Sequence, residues 1–250
     1  MAQNYLMQKI VLLFITSLFF TIAQSQQVNN NGKVSRKLDL SSRPGDHLML
    51  QFSTDKWTGM PDSIDSHQSG FSKGFNGYIM LNKPFRSSPK FSIGLGIGIG
   101  SSNISFKKMN VDIKSTAAKL PFTALDSSNH FKKYKVSLSY LEVPLEFRFT
   151  SDPLHFNKTL KFAIGGKVGT LINAHTKGKT LQNKNNSVLN NYIQKENSKK
   201  FFNSTRLMAT ARVGYGIFSI FGAYQLNNVL KDVAGPPMKL RQIGITISGL

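Results

Sequence analysis

Ser128, His130 and Asp126 lie within five residues of one another and carry the hydroxyl, imidazole and carboxylate that a nucleophilic hydrolase brings together. In that chemistry the imidazole takes the hydroxyl proton and the carboxylate orients the imidazole. Here all three fall in one polar connecting segment, where such residues are common without a catalytic role. We therefore expect no catalytic residues, and the chain is not expected to be an enzyme.

The other residues that could bind a metal or a nucleotide form no motif. The glycine run Gly94 to Gly100 lacks the dinucleotide-binding spacing, and Gly166-Lys167 is followed by Val168 instead of the Ser or Thr of a phosphate-binding loop. There is no cysteine, and the histidines are scattered without zinc-ligand spacing: His47, His67, His130, His155 and His175. The sequence predicts no cofactor and no metal site.

Apolar and polar residues alternate along eight segments, which is typical of strands with two different faces. In Phe91 to Gly100, five large apolar residues alternate with one serine and four glycines. The eight segments are His47 to Trp57, Phe75 to Asn82, Phe91 to Gly100, Ser137 to Phe149, Lys161 to Ile172, Leu207 to Tyr215, Ile217 to Leu226 and Arg241 to Ile247. Glycine, serine, threonine and asparagine dominate the polar faces. This favours a narrow membrane-barrel lumen over the lysine- and glutamate-rich exterior of a soluble barrel.

The connections between these segments are alternately long and short. Antiparallel membrane barrels alternate in this way because their periplasmic turns are short and their external loops are long. The sequence therefore predicts an all-β fold, an eight-stranded antiparallel up-and-down transmembrane β-barrel over residues 46–250, with both termini in the periplasm. We expect the polar tract Thr176 to Asn203 to be mobile. Pro144 cannot donate to a strand ladder, which predicts a bulge or bend at Val143 to Leu145.

The N-terminus has the parts of a secretory signal in order. Lys9 is followed by an uncharged apolar run, Ile10 to Ile22, and by the small-x-small site Ala23-Gln24-Ser25. That run is shorter than the ~20 residues of a membrane-spanning helix. We predict a cleaved signal peptide at residues 1–25, a polar periplasmic tail at 26–45, and export to the outer membrane.

Charged residues on the polar strand faces should meet inside the barrel. They are Glu142, Glu146, Arg148, Lys167 and Arg212. Because an unpaired charge in a narrow lumen is costly, we predict a structural polar network that plugs the lumen, with Glu142 opposite Lys167. The alternative is that these residues lie hydrated near the lumen ends. The same parity places Tyr78 inward, opposite Gly94 or Gly96.

The net charge of +20 indicates an anionic partner. Export and the absence of any nucleic-acid motif argue against nucleic acid, so outer-membrane lipid and lipopolysaccharide are the expected partners. The third connection carries the candidate lipopolysaccharide contacts Lys107, Lys108, Lys114, Lys119, Lys132, Lys133 and Lys135. The alternative is a solvated loop without a partner.

Two regions resemble a known group of proteins. Tyr140-Leu141-Glu142-Val143-Pro144-Leu145, and Ala223 to Leu230 followed by Gly235-Pro236-Pro237 and Ile243-Gly244-Ile245, are similar to the small "porin family" outer-membrane barrels of Bacteroidota. This group includes PorT-like proteins, which are associated with type IX secretion. The resemblance implies an outer-membrane barrel without catalytic residues.

We therefore expect a structural, scaffold or accessory role in the cell envelope, with a link to secretion. The expected protein partners are components of the envelope or of the secretion machinery. We expect a monomeric barrel. One alternative is a passive diffusion channel, although eight strands usually enclose a space that side chains fill. The other is a lipid-A-modifying enzyme.

Overall fold

The structure, a computed structural model, describes residues 47–155 and 158–249. The predicted signal peptide (1–25) and periplasmic tail (26–45) lie outside these residues. The described part contains eleven strands and the one-turn helix α1 (Asp62–Asp65). The strands are β1 (Leu48–Thr58), β2 (Lys73–Pro84), β3 (Phe91–Phe106), β4 (Met109–Val111), β5 (Phe122–Ala124), β6 (His130–Thr150), β7 (Leu160–Gln182), β8 (Val188–Asn197), β9 (Thr205–Tyr215), β10 (Phe218–Gln225) and β11 (Lys239–Ser248).

Eight of these strands close into an antiparallel barrel. The ring runs β1, β2, β3, β6, β7, β9, β10 and β11, and β11 pairs back onto β1. Each of the eight segments predicted from alternation lies on one of these strands, so the predicted fold is confirmed. Closure leaves no free edge in the ring, which is what a backbone needs to satisfy its hydrogen bonds in lipid.

The two faces of the barrel wall differ in the way the alternation predicts. Large apolar side chains point outward and are exposed, among them Ile79 (64%), Leu81 (66%) and Ile220 (62%). The residues between them point inward and are buried, for example Tyr78 and Met80 in β2. Continuous apolar surface of this extent is found on the lipid-facing side of membrane barrels. Within the described residues, no helix has the length and apolar character needed to cross a membrane.

Strand β7 continues beyond its pairing with β9 and pairs there with β8, while β6 stays paired with β3 as far as Tyr134. Residues 130–139 of β6, 173–182 of β7 and the whole of β8 form a three-stranded antiparallel sheet, which we call the ribbon. The mobility expected for Thr176 to Asn203 is contradicted by this sheet, because most of that tract is paired strand. Antiparallel pairing satisfies the backbone of a polar segment without requiring it to build an apolar core.

A register shift separates the ribbon from the barrel wall. Ser139 pairs with Asn173, whereas Tyr140 pairs with Leu171, which leaves Ile172 as an extra residue in β7. The bulge reverses the parity of β7, so that odd residues face outward from Asn173 onward.

Of the bulge or bend predicted at Val143 to Leu145, the bulge is wrong, but the ladder is disturbed on one side of the strand. Pro144 pairs with Lys167 in an unshifted ladder between β6 and β7. On the other side, the β3 pairing is interrupted between Leu95 and Gly98 without a change of register. The strand thus accommodates the missing donor by losing two partner pairs with β3 instead of inserting a residue.

The long connections fold over one end of the barrel and fill it. Side chains from β4 and its flank, including Val111 and Ile113, pack with Phe201 and Phe202 from the segment after β8 and with Leu230 from the last long connection. All five are at most 1% exposed. Burial of this much apolar surface orders the connections and covers the lumen at that end.

Candidate functional site in the barrel lumen

The centre of the lumen contains a buried ion pair with an aromatic partner. Arg206 donates to Glu142 Oε1 from Nε (2.9 Å) and Nη2 (2.5 Å), and the Tyr78 hydroxyl donates to Glu142 Oε2 (2.5 Å). The Arg206 guanidinium also lies 3.9 Å from the centre of the Tyr140 ring. Charge-assisted bonds to both carboxylate oxygens offset much of the cost of burying Glu142.

Lys167 joins this cluster through neutral groups. Its ammonium donates to the Tyr78 hydroxyl (3.0 Å) and to Gln51 Oε1 (3.1 Å). The expected cross-strand pair of Glu142 and Lys167 is wrong, because Glu142 pairs with Gly169. The register differs from the predicted one by two residues, which preserves parity and so keeps both side chains inside the barrel.

A second cluster lies nearer the end with the short turns. Glu146 Oε2 accepts from Arg148 Nε (2.8 Å) and from Arg212 Nη2 (3.1 Å). Arg212 also donates to Ser248 Oγ (3.4 Å), which connects β9 to β11. One carboxylate oxygen is thus shared by two guanidinium groups, one from β6 and one from β9.

The inward glycines of β3 provide the space for these charged side chains. A Cβ added to Gly94 would lie 2.5 Å from Arg148 Nε, and one added to Gly100 would lie 2.7 Å from Arg206 Nη2 and still closer to Glu142 Oε2. Glycine is therefore required at these inward positions of β3, because the charged side chains occupy the volume that a larger residue would need.

A third inward carboxylate, Asp55, is held by neutral donors. Gln242 Nε2 lies 3.0 Å from both Asp55 oxygens, and Ser53 Oγ donates at 2.5 Å. Together the clusters connect strands around the ring, because each of the three carboxylates accepts a hydrogen bond from a side chain of another strand. Chemically, the arrangement binds strand to strand and fills the lumen.

The residues considered for nucleophilic catalysis are not brought together. His130 contacts the Ser128 carbonyl oxygen (3.2 Å) and the Asn186 side chain (3.2 Å), whereas Asp126 contacts His67 (3.1 Å). Among residues 47–155 and 158–249, no three histidine, cysteine or acidic side chains are grouped to hold a metal ion.

The seven candidate lipopolysaccharide contacts are distributed over several elements. Lys107 and Lys108 lie in the turn after β3, and Lys114 and Lys119 in the connection between β4 and β5. The other three, Lys132, Lys133 and Lys135, lie on β6 in the ribbon. Of the seven, strand pairing places Lys133 and Lys135 opposite further lysines, Lys179 and Lys177.

A family model described as "Outer membrane protein beta-barrel domain" matches residues 23–230 of this chain. The chain belongs to this family. It is accordingly an outer-membrane β-barrel protein, with the closed ring and lipid-facing apolar surface described above.

Other comparisons add little to this assignment. No curated protein matches this outer-membrane barrel in sequence. A solved structure that matches is Ail, the attachment invasion locus protein of Yersinia pestis, in complex with the heparin analogue sucrose octasulfate. The identity is 11% and the TM-score 0.35, and the match covers 80% of this chain and 94% of that chain.

Sequence reasoning missed Arg206, the main partner of Glu142 in this outer-membrane barrel. Arg206 lies one residue before the predicted start of its strand, at Leu207. It has the same parity as Arg212, so extending the alternation by one residue would have placed it in the lumen. The inward orientation predicted for Tyr78 is confirmed, although its strand partner is Gly98 and not Gly94 or Gly96.

Proposed function

We propose that this protein is a closed outer-membrane barrel with a structural, scaffold or accessory role in the cell envelope, and that it does not conduct solutes or modify lipids. The observation that supports this proposal is the filled lumen. The Glu142, Arg206, Tyr78 and Lys167 cluster occupies its centre, and the apolar cluster around Phe201 covers one end. An eight-stranded ring has space for side chains but little for an aqueous path beside them.

In this proposal residues 1–25 are a cleaved signal peptide, both termini are periplasmic and the long connections face outward. The barrel is a monomer, and its PorT-like resemblance suggests a place beside envelope or secretion machinery. Cross-linking in intact cells followed by purification of the barrel would identify such partners. Recovery of the barrel without any cross-linked envelope protein would count against the secretion link.

Conductance is the most direct test of the closed lumen. Purified protein reconstituted into planar bilayers should produce no stable steps at moderate voltage, and heat-unfolded protein added in the same detergent is the control. Large, reproducible steps from the folded barrel alone would support the diffusion-channel alternative.

The enzyme alternative has its own test. Lipid A extracted from cells with and without the protein should have the same acyl-chain masses. A reproducible change in those masses would show that the barrel modifies lipid.

A further inference from the structure

Three lysines form a line across the ribbon. Lys135 of β6 pairs with Lys177 of β7, and Lys177 pairs with Lys195 of β8. We call these three residues the lysine row. Directly paired residues in antiparallel strands project from the same face with Cβ atoms about 5 Å apart. Lys133 and Lys179 form a second cross-strand pair two residues further along the same face.

Like charges placed opposite one another destabilise a sheet. Burial, and after it the charges of Lys177 and Lys195, lower the pKa of Lys135. Lys135 donates to Asn103 Oδ1 (2.7 Å). Within the described part of the chain, the ammonium groups of Lys177 and Lys195 have no hydrogen bond or ion pair. The row thus has a charge that none of the described residues neutralises.

The ribbon contains one acidic residue, Glu196, and that residue points away from the row. Glu196 pairs with Thr176, which is buried on the opposite face, and it accepts a hydrogen bond from Gln194. The outward face of the ribbon therefore carries basic and no acidic side chains, and the natural complement of its lysines is a group with several negative oxygens.

The row also has a defined position relative to the lipid-facing surface. On β6 the outward apolar residues end at Leu141, and Ser139 and Ser137 follow before Lys135. Six residues of strand cover about 20 Å, or roughly 15 Å along the membrane normal at the usual strand tilt. The row lies on the same outward face as the apolar band and is separated from it by Ser139 and Ser137.

We propose that the lysine row binds the phosphate groups of lipopolysaccharide in the outer leaflet. The proposal rests on the orientation given under Proposed function, with the long connections facing outward. A molecule whose acyl chains pack on the apolar band presents its phosphorylated sugars at the level of the ribbon. A soluble polyanion would contact the lysine row alone, whereas lipopolysaccharide would contact both the lysine row and the apolar band.

The test compares two double variants with equal loss of charge at the same end of the barrel. Lys177→Gln/Lys195→Gln alters the row and leaves Lys135 with its Asn103 contact. Lys184→Gln/Lys199→Gln removes two exposed lysines outside the row and serves as the control. Binding of fluorescent lipopolysaccharide, native or dephosphorylated, is measured with the folded full chain in detergent micelles at several salt concentrations.

We expect the row variant to bind native lipopolysaccharide at least about tenfold more weakly, with a shallower salt dependence, and the control to bind like wild type. Both variants should keep the wild-type circular dichroism spectrum. Equal affinities for the row variant and the control would overturn the proposal. The proposal would also be overturned if the wild-type protein bound dephosphorylated and native lipopolysaccharide with equal affinity. Competition by inorganic phosphate as effective as that by lipopolysaccharide would overturn it too.

A separate measurement tests the orientation. The chain has no cysteine, so Lys184→Cys introduces one reactive thiol at the turn between β7 and β8. A membrane-impermeant maleimide should label it on intact cells. Absence of labelling would contradict the orientation, whereas labelling together with unchanged lipopolysaccharide binding by the row variant would contradict the lysine row alone.

Discussion

Glu142 and Arg206 form an ion pair in the middle of the lumen, with 2.5 Å between Glu142 Oε1 and Arg206 Nη2 and 1% exposure of each side chain. The two residues belong to β6 and β9, which are not neighbours in the ring because β7 lies between them. The pair therefore connects parts of the wall that backbone hydrogen bonds do not join. Its removal should weaken the barrel without changing its strand order.

The substitution Glu142→Gln should destabilise the folded barrel by about 3 to 5 kcal/mol, because it leaves the buried Arg206 charge without its carboxylate. Urea unfolding in detergent micelles, followed by tryptophan fluorescence, measures the free energy. Glu196→Gln makes the same chemical change in the ribbon and should cost less than about 0.5 kcal/mol. Equal effects of the two substitutions would show that the lumen pair contributes little.

The substitution Gly100→Ala should destabilise the barrel by about 1 to 3 kcal/mol, since the new methyl group meets the Glu142 carboxylate and Arg206. Gly222→Ala is the matched control, because a Cβ added there has no heavy atom within 4 Å. The control should unfold at the same urea concentration as wild type or slightly higher. If the two alanine variants unfold alike, the glycines of β3 are not required for lumen packing.

Leu145→Arg tests whether the apolar outer face contacts lipid. Leu145 is 53% exposed and lies between Leu141 and Phe149 on the outward face of β6. An arginine near the bilayer centre should cost about 2 to 4 kcal/mol, whereas Ser139→Arg, beyond the apolar band, should cost at most about 1 kcal/mol. Unfolding from lipid vesicles measures both. A neutral Leu145→Arg variant would indicate that this face is exposed to water.

His175 reports the charge of the lysine row. Burial is the main cause of the low pKa of this imidazole, and the charges of Lys195, Lys135 and Lys177 lower it further. Ser137 and Asn197, its direct strand partners, are uncharged. Because the folded state binds this proton less tightly than the unfolded chain, the stability that depends on neutral His175 is present above the unfolded pKa. It decreases as the pH falls below that value.

An NMR titration of the folded chain should therefore find the His175 midpoint below that of a model histidine. In Lys177→Gln/Lys195→Gln the midpoint should rise, because two of the three repelling charges are gone. The Lys184→Gln/Lys199→Gln control should leave it unchanged. A midpoint that does not move in the row variant would mean that the lysine side chains point away from His175.

The architecture of the barrel wall can be predicted from local residue patterns. Alternation in segments such as Phe91 to Gly100 defined eight strands and the two faces of each, because the side-chain period of a strand is two whatever its partners are. Parity alone placed Tyr78, Glu142 and Lys167 inside. The family match and the closed ring agree with that interpretation.

The contacts between particular side chains depend on how the strands pair around the ring. The register pairs Glu142 with Gly169, two residues from the predicted Lys167, and the ion-pair partner of Glu142 is Arg206. Pairing also turned the polar tract after Lys177 into the ribbon and brought Lys135, Lys177 and Lys195, far apart in the chain, into one row. The physical reason is that alternation fixes the face of a side chain but not the register of its strand. Register depends on the bulge at Ile172 and on contacts around the whole ring, which the local pattern of residues does not contain.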